Sequence, residues 1–98
     1  MKRTMTRKPI EQTPISDGRN LGPITEAELG SIGLNSIEQI QALGWEEVCI
    51  RYCEAYPERL NLNAFTAIIG AIVDQDWRRI DPDLKSQARV LLRHLKRR

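Results

Sequence analysis

The segment Asn20 to Gly44 constrains the fold most: N-L-G-P-I-T-E-A-E-L-G-S-I-G-L-N-S-I-E-Q-I-Q-A-L-G. Two sets of helix start and stop signals fall within 25 residues, which leaves room only for two short helices and tight turns. Thr25 and Glu28 fit the S/T-x-x-E capping box, and acidic residues fill the first turn, where the helix dipole favours them. Gly33 supplies the left-handed stop. Ser36 and Gln39 then repeat the box, Ile37, Ile40 and Leu43 form an apolar stripe, and Gly44 ends it.

The same logic extends to the C-terminus. Trp45, Val48, Cys49, Tyr52, Cys53 and Tyr56 recur at i, i+3, i+4, i+7, i+8 and i+11, which predicts an amphipathic helix stopped by Pro57. A fourth helix is expected after Asn61 or Asn63, ending near Asp74. Ala64, Phe65, Ile68, Ile69, Ile72 and Val73 cover one side of it, and Ala67, Gly70 and Ala71 most of the other. A helix apolar nearly all round is a buried one, so this is the expected centre of the core. Gly70 costs it roughly 1 kcal/mol relative to Ala, which predicts close approach by another backbone. Trp45, Phe65, Ile68, Ile69, Ile72 and Trp77 are the expected large core residues. Asp81 and Pro82 open the last helix as N-cap and first helical residue. Leu84, Ala88, Leu91, Leu92 and Leu95 face inward. Lys85, Arg89, Arg93 and Lys96 form a second stripe roughly 120° away. No segment alternates with period two, and the expected fold is a compact all-α domain of five helices.

Residues 1–19, with Pro9, Pro14 and Asp17-Gly18, carry neither period and read as a flexible tail. Ile10 or Ile15 can seat one ordered turn on the core. The domain is then 20–98, about 80 residues, a size at which folding buries only about 60% of the unfolded chain's surface. Its small core and segregated charge make a homodimer an expected arrangement.

The net charge of +2 conceals that segregation. Residues 1–24 carry five basic and two acidic side chains, residues 25–76 two and nine, and residues 77–98 eight and two. Basic ends around an acidic middle point to an acidic partner for the ends, or to pairing of ends and middle between subunits. No apolar run reaches the roughly 18 residues of a membrane span, and no apolar stretch follows the basic N-terminus as in a signal peptide. The expected location is the cytoplasm.

Catalytic chemistry finds little to use. Two cysteines, Cys49 and Cys53, and one histidine, His94, are too few for a disulfide framework or a structural zinc site. No nucleophile-base pair or phosphate-cradling glycine loop is present, so the chain is expected to be non-enzymatic, without cofactor, metal or small-molecule substrate. Two contact surfaces remain. The Asn20-Leu21-Gly22-Pro23 loop resembles the G-x-G loop of a helix-hairpin-helix, whose backbone N–H groups bind phosphate. Pro23 removes one donor, and the acidic turn that follows opposes an anion. The basic set Arg78, Arg79, Lys85, Arg89, Arg93 and Lys96 suits a phosphate backbone. No aromatic residue interleaves it for base stacking.

The string N-L-G-P-x-T-E-x-x-L-x-x-I-G-L-x-S-I-E-Q-I-x-A-L-G, continued by L-N-x-x-x-A-x-x-G-A-I at Leu62 to Ile72 and by Trp77 and Ile80, resembles the C-terminal domain of the TfoX/Sxy competence regulators. The resemblance spans roughly residues 19–95. It implies a helical domain with a helix-hairpin-helix or SAM-like first part, and an association with control of DNA-transformation genes. Full-length members carry an α/β domain ahead of this one, where this chain has 19 residues. Two functions follow as expectations: a regulatory module acting through protein contacts, or a sequence-nonspecific DNA-binding domain using the basic last helix and the Leu21-Gly22 turn.

Overall fold

The computed structural model describes residues 13–97. It contains five α-helices: α1 (Pro23–Ser31), α2 (Ile37–Leu43), α3 (Trp45–Ala55), α4 (Leu62–Val73) and α5 (Pro82–Lys96). Single 3₁₀ turns at Ile15–Asp17, Pro57–Arg59 and Trp77–Arg79 link them, and no named strand occurs among the described residues. The fold is all-α.

Helix α1 starts three residues earlier than its capping box predicts. Gly22 is the N-cap and Pro23 the first helical residue. Proline's fixed φ suits that position, and its missing N–H would have been unpaired there anyway. The Thr25–Glu28 box does not form, because Thr25 lies inside the helix, and Glu28 binds Tyr52 and Arg59 instead. The helix ends as expected in a Schellman turn. Gly33 takes φ +89°, its N–H donates to Gly30 O (3.0 Å), and Leu34 N–H donates to Leu29 O (2.9 Å). Leu29 and Leu34, both buried, make the apolar contact that closes this motif. In α2, Ser36 Oγ accepts from Gln39 N–H at 3.1 Å. The return bond from the Gln39 side chain goes to Asn35 N–H (2.6 Å) rather than to Ser36. Asn61 and Asp81 cap α4 and α5 with their side chains.

Helix α4 is the centre of the molecule, packing against α2, α3, α5 and the Trp77 turn. Phe65, Ile68 and Ile69 are buried, and so is Thr66, whose hydroxyl donates to Leu62 O (3.0 Å). Trp45 and Ile72 are half-buried at the edge of this core. Trp77 departs from expectation: it is 39% exposed. It opens a 3₁₀ turn, where three residues cannot turn a continuous apolar face inward, and the core beneath is already closed by Ile80.

Residues 13–19, assigned by sequence to the flexible tail, are pinned to the helical unit. Ile15 is fully buried. Ile37 N–H donates to Thr13 O (2.9 Å), and Thr13 donates from both N–H and Oγ1 to the Glu38 carboxylate (2.7 Å each). Glu26 Oε2 accepts from Ser16 N–H and Oγ, tying the first 3₁₀ turn to α1. The element ahead of the Asn20–Gly22 loop is therefore one 3₁₀ turn leading into α1. Ile10 lies outside the described residues.

Glu28 joins three elements. Arg59 donates to it from Nε (2.9 Å) and Nη2 (2.8 Å), and Tyr52 donates its hydroxyl to Oε1. The Arg59 hydrogen bonds, then the Tyr52 bond, hold the Glu28 carboxyl below its usual 4.5. Burial, with the Glu28 hydrogen bond, pushes Tyr52 from 10 up to about 12. Thr13 likewise lowers Glu38. A depressed carboxylate stabilises the fold above its unfolded pKa, and that contribution is lost as pH falls through the folded value. A raised phenol stabilises below pH 10, and its contribution is lost as pH climbs towards 12. The urea midpoint is therefore expected to fall on acidification below pH 4.5, and this fall should be shallower in Glu28→Gln. Identical acid limbs for the two proteins would contradict the assignment.

Candidate interaction surface on the last helix

Helix α5 leans on α4 and α3 through Ala88, which is buried, and through half-buried Leu84, Leu91, Leu92 and Leu95. Its 3.6-residue period leaves two unlike flanks in solvent. One flank carries half-buried Lys85, then Arg89, Arg93 and Lys96, all exposed. The other carries Val90, which is 60% exposed. Val90 borders a recess of about 430 Å³ between α5 and the start of α3, lined also by Glu46, Ser86, Gln87, Leu91 and His94.

The expected contact residues separate into two groups. Lys85, Arg89, Arg93 and Lys96 follow one flank as predicted, and exposed Arg78 and Arg79 stand on the turn that leads into α5. Asp76 accepts from Arg78 Nε (3.2 Å) and Nη2 (3.0 Å), and this guanidinium lowers the Asp76 carboxyl to about 2. Asn20, Leu21 and Gly22 do different work. Leu21 is buried in the core. Asn20, at φ +74°, donates from Nδ2 to Gln75 O (2.8 Å) and accepts at Oδ1 from Trp77 N–H (3.1 Å). Gly22 caps α1 next to donor-free Pro23. The loop is a joint that clasps the chain before α1 to the Trp77 turn. Nothing in the bare sequence links Asn20 to residues more than 50 positions away.

The chemistry-bearing side chains are packed or paired. Cys49 and Cys53 are buried and free of disulfide. Burial pushes the Cys49 thiol well above its usual value, with smaller contributions from Cys53 and Glu46, and raises Cys53 to about 11. Both are therefore neutral thiols rather than nucleophilic thiolates near neutral pH. Among the described residues no group of three or more His, Cys, Asp or Glu is arranged to hold a metal ion. None of the described helices is long and apolar enough to cross a membrane.

These features define a compact helical domain whose last helix carries a basic flank facing solvent. The model of the TfoX C-terminal domain family matches residues 11–92, and the chain belongs to that family. A crystal structure, in a triclinic form, of an uncharacterized protein from Listeria monocytogenes is similar. Its TM-score is 0.78 at 21% identity, over 84% of this chain and 92% of that one, which shows a shared fold. Comparison with curated proteins finds no match.

Proposed function

We propose that the chain is a non-enzymatic regulatory interaction domain in the control of competence, working in a bacterial cytoplasm through protein contacts made by α5. Membership of the TfoX C-terminal domain family supports the regulatory part. The observation that carries the contact is Val90, 60% exposed at the rim of an apolar recess. An exposed branched apolar side chain beside an apolar recess, rimmed by Glu46, Gln87 and His94, offers surface whose burial by a partner is favourable. The partner that charge favours is a second copy of the chain. Docking along Val90 brings the basic α5 of one subunit towards Glu46 and Glu47, in the acidic first turn of α3 of the other.

The test is co-purification of an untagged copy with a tagged one from nuclease-treated lysate. The wild-type pair is expected to stay together, and Val90→Glu in both copies to abolish retention with an unchanged helical spectrum. Retention that needs intact nucleic acid, or that survives Val90→Glu, would count against this surface.

A second reading, sequence-nonspecific DNA binding, is favoured by the row Arg89, Arg93 and Lys96 standing in solvent on one flank. The Leu21-Gly22 turn no longer supports it, since Leu21 and Asn20 are committed to the fold.

A further inference from the structure

Trp77 offers what the basic row lacks, a partly exposed aromatic side chain. It shares a recess of about 200 Å³ with Leu62, Asn63, Thr66, Arg78 and Lys85. The ring's backbone is held rigidly. Asn20 bridges Gln75 O and Trp77 N–H, and Gly70 makes room for that clasp, because a Cβ there would overlap Asn20 Nδ2 and Gln75 O. From Lys85 the cationic flank continues to Arg89 and Arg93 at intervals of four residues, about 6 Å along the helix axis. The nearby carboxylates are engaged or turned aside. Asp76 is bound by Arg78, Asp81 accepts from Asp83 N–H (2.8 Å), and Asp83 lies on the opposite flank of α5 from Lys85.

We propose that Trp77 and the Lys85–Arg93 flank form a binding track for single-stranded nucleic acid, with one base stacked on the Trp77 indole and the phosphates following the cations. One physical point favours a single strand over a duplex. Base stacking on an aromatic ring needs an unstacked base face, which a duplex hides. Cations at regular intervals neutralise phosphates without reading sequence. The track adjoins the Val90 flank, since Val90 and Arg93 are i,i+3 neighbours on α5, but its test reads Trp77, which the protein contact does not use.

The test uses the full chain and fluorescein-labelled oligothymidine, with oligouridine as a second probe, followed by anisotropy at low salt. Wild type is expected to bind both. Trp77→Ala should weaken binding about 5- to 100-fold, from the loss of one stacked base, while Trp77→Phe retains most of the affinity. Gln at Lys85, Arg89, Arg93 and Lys96 together should flatten the salt dependence, which for single strands is about −0.7 in log–log slope per phosphate neutralised. In a Trp45→Phe background Trp77 is the sole tryptophan, and its fluorescence should be quenched saturably by either probe. Unchanged thermal midpoints in Trp77→Ala separate stacking from folding. Equal affinity of wild type and Trp77→Ala would overturn the proposal. So would absence of binding to both probes, or equally tight, equally Trp77-dependent binding of a blunt duplex.

Discussion

Ile69→Ala is expected to destabilise the domain by about 2–5 kcal/mol, the range for large-to-small changes in a closed core. Ile69 is fully buried on α4, the helix that touches α2, α3, α5 and the Trp77 turn. Truncation removes apolar contacts and leaves a cavity that neighbours anchored in four elements cannot easily fill. The cost should lie towards the upper end of that range. In a domain of this size it is a large share of the total stability. Urea denaturation followed by far-ultraviolet circular dichroism reads it directly. A midpoint unchanged from wild type would remove α4 from the centre of the fold.

Gly70→Ala should also destabilise, against the local expectation. Alanine gains roughly 1 kcal/mol of helix propensity over glycine. Here its methyl group would collide with Asn20 Nδ2 and Gln75 O. Gln75 O is backbone, and Asn20 is held by two hydrogen bonds, so neither yields without breaking the clasp. Overpacking of this kind costs about 1–3 kcal/mol, which outweighs the propensity gain at most of its range. The second signature is spatial: Trp77 loses its anchor, so its fluorescence should shift while the spectrum of the remaining helices is largely kept. A stabilised Gly70→Ala with unaltered Trp77 emission would show that the close approach is absent.

The fold was legible where signals are local. Ser36, Asn61 and Asp81-Pro82 begin helices, Gly33 and Gly44 take positive φ at helix ends, and the all-round apolar run of α4 marks it as central. Gly70 announced a close approach before its partner was visible. What stayed hidden depends on long-range pairing. Glu28 satisfies a capping-box spacing and a salt bridge to Arg59, 31 residues away, and sequence alone cannot rank the two. Ile15 is a lone apolar residue in a proline-containing segment, without a period to reveal that it is buried. Trp77 reads as core by residue type, whereas its 3₁₀ turn leaves it half outside.

The surface was only partly legible for a related reason. The basic spacing of α5 can be counted in sequence, but the other flank is defined by what faces it. Val90 becomes a docking feature only because Glu46, from the start of α3, walls the same recess. Asn20 reads as a contact residue because its loop resembles the phosphate-binding G-x-G loop of a helix-hairpin-helix. Its left-handed conformation instead aims the side-chain amide at the Trp77 turn.

The central claim, that the Val90 flank of α5 joins two copies of this chain, is tested most directly by sedimentation equilibrium at micromolar concentration in low and moderate salt. Wild type is predicted to show twice the chain mass of 11.3 kDa, and Val90→Glu the single mass. A homogeneous 11.3 kDa species for wild type in both salts would contradict it.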